Sequence, residues 1–395
     1  MELILFLAIV FLFIFLFGLF FEKIRVPWVF TALLLGLCLA FYNPFNQITS
    51  LPEFNFLANM GMYFLLFIIG FELNIKHILN QGKFIFQTTF AIILTETFFG
   101  TILIHFLFNT PWLTSILVAS SFATIGEAVL LPILEEFKLL KTHLGQTILG
   151  IGVLDNFIEI LTIIFASILV GKQTQFAQIN LPTTILVILF LLTTVVFSIK
   201  FHKKINHFKF KDHSLLFLFL LVILFLFVGI GNIVDSSALG ALIAGIVLKN
   251  IIPKKNEKII NATIKTITYG FFAPIFFLQV GLRTNINYLL TYPILVILIM
   301  LLTKATKLGS SYLMTHKKLG TKQSFILGIS MCVKFSTSIV IIKYLFDNQL
   351  ISSELYSILV GSSIAFKFLV PFLLSYLIPK WKISKQKDQT ITSTN

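Results

Sequence analysis

Charge is what this sequence has least of. Asp, Glu, Lys and Arg together make up 12% of 395 residues, against 57% hydrophobic residues and a mean hydropathy of +0.97. A soluble domain carries about 25% charged residues, so the composition excludes a chain that folds in water alone. Cysteine is nearly absent. Cys38 and Cys332 lie far apart, both in apolar runs, which excludes a disulfide framework and a cysteine metal cluster. No basic segment precedes the first apolar run and no small-residue cleavage site follows it, so that run reads as a span and not as a secretory signal. A phosphate loop, a nucleophile elbow and a metal-ligand cluster are also missing. No enzyme is indicated, and no resident cofactor is expected.

What is there is apolar sequence in blocks of membrane-crossing length. A helix needs about 20 apolar residues to cross the hydrocarbon core. Runs of that kind predict spans at 2–21, 27–43, 56–73, 84–108, 111–134, 144–170, 182–199, 214–231, 236–249, 267–282, 290–313, 322–346 and 353–379. The expected fold is an all-α polytopic membrane protein of about thirteen transmembrane helices, with one membrane domain over 1–379 and a short basic tail over 380–395. The 46 Phe residues read as apolar filler rather than as stacking platforms.

The basic residues set the orientation, because loops rich in Lys and Arg stay on the cytoplasmic side. With the N-terminus outside, the inner segments carry Lys23, Arg25, Lys76, Lys83, Lys138 and Lys141, then clusters at 200–211, 249–265, 317–322 and 380–387. The outer loops hold only Lys172 and Arg283. The formal net charge of +14 is therefore topology and not nucleic-acid binding. It predicts an inner face that favours anionic lipid headgroups, a C-terminus in the cytoplasm, and residence in the cytoplasmic membrane.

An odd number of spans has a further consequence. Six spans, a linker and six more place the second six upside down relative to the first, which is the parity of the inverted repeats found in many secondary transporters. The fifth span then corresponds to the twelfth, and both are interrupted. Thr124, Gly126 and Pro132 break one; Lys334, Ser336, Thr337 and Ser338 break the other. Two crossed, discontinuous helices are expected there, with a site near the midplane.

Ionisable residues at that depth are expensive and tend to face a cavity or a partner. Apart from Glu2 and Glu354 at the very start of two spans, five acids lie in the spans: Glu72, Glu96, Glu127, Asp155 and Glu159. Asp155 and Glu159 are one turn apart on one helix face. Two carboxylates so close in a low dielectric do not both ionise easily, so one takes a proton or a cation. Lys304 and Lys307 are likewise one turn apart and need anions, for which Asp155 and Glu159 are candidates. Lys334 sits at the twelfth-span break and Glu127 at the fifth. Glu96 reads equally as a packed, protonated acid. Glu72 reads as a boundary residue, His105 as interfacial, and Lys343 as close enough to a helix end to snorkel.

Four segments then carry a resemblance. "EKIRVPWVFTALLLGLCLA", "NMGMYFLLFIIGFELNIKHI", "GNIVDSSALGALIAGIVL" and "FFAPIFFLQVGLRTNI" resemble, in order and spacing, motifs of the monovalent cation:proton antiporter superfamily, in its second, largely bacterial branch. The resemblance covers nearly the whole chain. It implies a usually dimeric thirteen-span antiporter whose core domain, holding two crossed broken helices, moves against a dimerisation domain. It places the ion site on the sixth span at Asp155 and Asn156, where the family has two adjacent residues and the second is usually the acid. It makes Thr124 a neutral oxygen donor on the fifth span. A lysine of the eleventh span, Lys304 or Lys307, would be the counter-charge to the acid. The twelfth-span motif reads "VKFS", so Lys334 keeps the positive charge while Ser336 stands in place of a glutamate.

The reading is a secondary active antiporter exchanging Na⁺ or K⁺ for H⁺, with Asp155 as the ligand of the transported ion. Asn156, Thr124, Glu159 and Glu127 are further candidates for the ion site, and Lys304, Lys307 and Lys334 supply counter-charge. Hard cations prefer such oxygen ligands. Two alternatives stand beside it. One is a non-transporting membrane sensor or scaffold on the same fold, suggested by the altered "DN" and "VKFS" motifs. The other is a proton-coupled organic-anion transporter, suggested by the three lysines.

Overall fold

The computed structural model describes residues 2–23, 28–73, 82–123, 130, 133–135, 137–140, 142–173, 181–205, 213–333, 336–381 and 383, and every regular element among them is helical. In chain order the helices are α1 (Leu3–Lys23), α2 (Phe30–Phe41), the single turn α3 (Asn46–Thr49), α4 (Pro52–Glu72), α5 (Lys83–Phe108) and α6 (Trp112–Ala123). Then come α7 (His143–Gln173), α8 (Leu181–Ile205), α9 (His213–Asn232), α10 (Ser237–Ile251) and α11 (Lys254–Ile267). The last are α12 (Ala273–Leu282), α13 (Ile286–Thr291), α14 (Pro293–Met331), α15 (Ser336–Asp347) and α16 (Ser353–Lys380).

Helical residues occupy the place of each expected span. Among the described residues nine helices are long and apolar enough to cross a membrane, and α2, α6 and α10 are shorter apolar helices. The tenth span begins earlier than its hydropathy predicts. Polar α11, with Lys254, Lys258 and Lys265, runs through a π-helical turn at Thr268–Phe272 into apolar α12. The eleventh span and the first part of the twelfth are nominally one helix, α14, but Gly320 breaks it with φ +75°. Glycine enters that left-handed region without the steric cost of a Cβ, which is why it so often stands just past a helix end. Cys332 and Val333 are non-helical and α15 starts at Ser336, so the twelfth span is interrupted just before the polar residues Ser336, Thr337 and Ser338, which are themselves helical; Lys334 lies outside the described residues. The fifth-span residues 124–129 lie outside the described residues, as does the tail from 384.

Lipid-facing packing is visible in the surface. Ile4, Leu186 and Ile294 are exposed by 78%, 67% and 80%, which only an apolar solvent tolerates over whole helix faces.

The chain forms two compact units. One comprises Met1–Leu73, Glu159–Thr291 and Ile339–Val360; the other comprises Asn74–Ile158, Tyr292–Ser338 and Gly361–Asn395. In the first, helices are held by close backbone approach. A Cβ on Gly70 of α4 would lie 2.0 Å from the Leu242 carbonyl of α10, and one on Gly245 of α10 would lie 2.1 Å from the Phe67 carbonyl of α4. The crossing of α2 and α12 is built the same way. Gly36 would meet the Leu278 carbonyl at 2.2 Å and Gly281 the Leu33 carbonyl at 2.4 Å. Lipid tails offer no hydrophobic drive between helices, so small residues that let backbones touch supply the packing energy. The sequences around the two crossings are also alike: "ALLLGLCL" about Gly36 and "ALIAGIVL" about Gly245, "LLFIIGFELNI" about Gly70 and "FFLQVGLRTNI" about Gly281.

In the second unit α5 packs against both α6 and α14. A buried cluster including Ile92, Leu144, Ile148, Ile151, Leu327 and Met331 forms its core.

The crossings make a direct test. Gly245→Leu overpacks a backbone contact and is expected to destabilise by about 1–3 kcal/mol, read as a lower melting temperature of the detergent-solubilised protein. Gly229→Ala, where a Cβ meets nothing within 4 Å, is expected to melt like the parent.

Candidate functional site

Asp155 lies near the middle of α7, and its side chain is wholly buried. Asn156 follows, half-buried, and Glu159 is buried one turn later. The helix passes from the second unit to the first between Ile158 and Glu159. Among the described residues of the second unit, Asp155 is therefore accompanied by three other buried charges: Glu96 of α5 and Lys304 and Lys307 of α14.

The two lysines, one turn apart, reach the same end of α6. Lys304 places its ammonium 5.5 Å from the centre of the Phe122 ring, a cation–π distance. Lys307 donates a 2.7 Å hydrogen bond to the carbonyl oxygen of Ala123, the next residue. It also forms an ion pair of 2.9 Å with Glu96, and neither side chain has any exposure. Among the described residues these are the partners of Lys307, so its neutralising anion is Glu96 and not Asp155 or Glu159. Glu96 in turn is an ion-paired acid, not an isolated packed one. Sequence reasoning left Glu96 outside the site, because one acid in a 26-residue apolar helix carries no spacing signal. What could have singled it out is the demand for a second anion opposite a second lysine.

Thr124, Glu127 and Lys334 lie outside the described residues. Lys343 does not snorkel. Its side chain is 2% exposed and hydrogen-bonded to Asp347, one turn on. Glu72, at the end of α4, is a boundary residue that pairs with Lys265 at 2.6 Å. His105 stacks on Trp112 with ring centres 3.8 Å apart and shares a 2.7 Å hydrogen bond with the Thr110 carbonyl. A polar cavity of about 670 Å³ lies in the first unit, lined by Asn55, Gln279, Arg283, Lys343 and Asp347 among others. None of these residues belongs to the unit that holds Asp155.

Chemically, the second unit holds two acids and two bases out of water. Coulomb attraction is several-fold stronger in such an interior than in bulk water, so each charge is stable only beside a partner. Lys307 has its carboxylate. A buried carboxylate such as that of Asp155 has the chemistry to accept a proton or a cation, and Asn156 follows it in the chain.

Residues 8–377 match the family model described as the sodium/hydrogen exchanger transmembrane domain. The chain is similar to a probable Na(+)/H(+) antiporter 3 of Methanocaldococcus jannaschii, with 25% identity over 372 residues, 90% of this chain and 92% of the relative. It is also similar to a Na(+)/H(+) antiporter of Enterococcus hirae, with 23% identity over 82% of this chain and 84% of the relative. In fold it resembles the sodium proton antiporter MjNhaP1 from Methanocaldococcus jannaschii, solved at pH 8, with a TM-score of 0.63 over 96% of this chain and 98% of that one at 18% identity.

Removing one partner of the buried pair strands the other. Lys307→Ala leaves Glu96 charged and dry, and is expected to cost about 3–5 kcal/mol of stability. A thermal melt against the parent checks it; an unchanged melt would contradict the pairing.

Proposed function

Because the chain belongs to the sodium/hydrogen exchanger family, by its match over residues 8–377, we propose that it exchanges Na⁺ for H⁺ across the cytoplasmic membrane, with Asp155 taking the two ions in turn. The observation that carries this reading is a wholly buried carboxylate in the middle of a membrane helix. Such a group is costly unless a cation or proton accompanies it. Competition between the two ions for one carboxylate couples their fluxes, since the carrier crosses loaded with one or the other. Asn156 and Thr124 serve as neutral oxygen donors, and Glu159 and Glu127 as further acids of the pathway. Lys307 pairs with Glu96, and Lys304 is the counter-charge proposed for Asp155. Lys334 offsets helix-end dipoles at the crossing.

The protein works as a homodimer with its N-terminus outside and its C-terminus in the cytoplasm, its inner face against anionic lipid. Na⁺ or K⁺ and H⁺ are cargo, and no resident cofactor enters the reading. The organic-anion alternative is less favoured. Among the described buried charges of the second unit, Glu96 and Asp155 balance Lys304 and Lys307, so these four carry no net positive charge; Lys334 lies outside the described residues.

Reconstitution in liposomes with a pH-sensitive dye tests the reading. Na⁺ is expected to drive proton movement in the parent and none in Asp155→Asn, and K⁺ in the same assay decides the second cargo. A parent silent to every alkali cation sinks the exchanger reading in favour of a sensor or scaffold. Protonation competes with cation binding, so the apparent KM for Na⁺ is expected to rise as pH falls, by about tenfold per unit once the pH is below the pKa of the acid. A KM indifferent to pH would rule out a shared carboxylate.

A further inference from the structure

We propose that the polar cavity of the first unit binds a small monovalent hydroxycarboxylate; this goes beyond the exchanger reading and does not rest on it. The cavity, of about 670 Å³, has the size of a small-molecule site. It lies where α4 begins and where α12 and α15 end, and all its lining residues belong to one compact unit.

The charges of the walls point to the charge of the ligand. Among the described residues the lining holds two cations, Arg283 and Lys343, and one anion, Asp347. Lys343, 2% exposed, is taken up by Asp347 through a hydrogen-bonded ion pair. Arg283, at the end of α12, has no carboxylate at ion-pair distance among the described residues, so the walls carry one unit of positive charge. A guanidinium meets a carboxylate through two parallel hydrogen bonds, a match that a spherical halide cannot make.

The neutral groups point to a donor on that ligand. Gln279 stands one turn before Arg283, on the same face of α12, and is 4% exposed. Asn55 donates through Nδ2 to the Leu51 carbonyl at 3.1 Å, which leaves its Oδ1 to accept from Gln279 Nε2 at 2.6 Å. Those two bonds fix the Gln279 amide, and its Oε1 has no hydrogen-bond partner among the described residues. A buried acceptor without a donor is costly, and a hydroxyl beside the ligand's carboxylate supplies the donor. An ammonium would supply it too, but a zwitterion leaves the net charge of the walls uncancelled. Phe346, Leu350 and Ile351 complete the lining and suit a short alkyl tail.

The frame of the cavity is held by its own hydrogen bonds. Tyr356 donates to the Val280 carbonyl at 3.1 Å, and the Asn285 amide donates to Ser357 Oγ at 2.7 Å, tying α16 to the end of α12. After α15 the backbone turns through Gln349 at φ +59°. Its N–H reaches the Phe346 carbonyl, and that of Leu350 reaches the Leu345 carbonyl. Glycine is the usual residue at such a helix end; here a glutamine stands there and lines the cavity.

Isothermal titration of the full-length protein in detergent at neutral pH tests the site, with lactate, propionate, alanine and chloride as probes. Lactate is expected to bind saturably. Propionate, which lacks the hydroxyl and leaves the Gln279 oxygen unpaired, is expected to bind about tenfold more weakly or worse, as are alanine and chloride. Arg283→Gln is expected to raise the Kd for lactate and for propionate alike by about tenfold. Gln279→Met, of similar volume, is expected to abolish the preference for lactate over propionate, which a merely structural role for Gln279 would not do. The proposal is overturned by lactate that does not bind, that binds Arg283→Gln as tightly as the parent, or that binds no better than propionate or alanine. Arg283 is exposed, so its variant is expected to melt like the parent; should Gln279→Met not fold, the probes on the parent and on Arg283→Gln still decide. A protein that binds lactate but moves no protons with Na⁺ keeps this site and loses the exchanger reading. An active exchanger that does not bind lactate loses this site alone.

Discussion

A charge buried in hydrocarbon must be neutralised by a neighbour, and the second unit is arranged around that requirement. Two lysines one turn apart on α14 repel each other and could not both stay charged in an apolar interior alone. Glu96 reaches one of them from α5, and the end of α6 receives both, as a ring face beneath Lys304 and a carbonyl oxygen on Lys307. These contacts tie the three helices together, in addition to their apolar packing. Lys307 is held by a carboxylate and a carbonyl, and Lys304 lies over an aromatic ring.

The first unit solves the opposite problem, holding helices together without charge. Its helices meet through glycines whose missing side chains allow carbonyl and Cα to touch, at Gly70 with Gly245 and at Gly36 with Gly281. These two crossings are related. The residues around Gly36 resemble those around Gly245, and those around Gly70 resemble those around Gly281. Each crossing thus pairs an early segment with a late one, and each uses one copy of both patterns. An inverted repeat folded back on itself produces that arrangement, so the parity argument and the glycine contacts meet at the same residues.

Much of this was legible in the sequence, for identifiable reasons. Span positions follow from the length of apolar runs, and the interruption at Cys332 and Val333 falls just before polar residues in an otherwise apolar segment. Gly320 was not singled out, although the gap between the eleventh and twelfth runs fell around it. The start of the tenth span was misplaced because α11 is polar on one face and hydropathy averages over both. Lys343 was expected to reach toward the interface, but a carboxylate one turn away offers a shorter route to neutrality than water does. The partner of Lys307 was illegible for a deeper reason. Helical spacing relates residues within one span, whereas Glu96 and Lys307 lie on different spans, and several acids were available to choose from.

On the reading proposed above, Asp155 and not Glu96 is the working acid, and the ion pair of Glu96 is consistent with that choice. Glu96 is a strong carboxylate ligand in the abstract, but an ammonium at 2.9 Å occupies the place a cation would take, and displacing it would strand a lysine in a dry interior. Asp155 is equally buried, so it too must be accompanied by positive charge. Its helix presents a neutral side-chain oxygen, Asn156, where the related pattern has a second acid. A carboxylate flanked by a neutral ligand carries one unit of negative charge, which one proton or one monovalent cation cancels. The asparagine that departs from the family pattern is therefore compatible with exchange, provided the surrounding lysine charge is already spoken for. The ion pair on α5 and α14 meets that condition for Lys307.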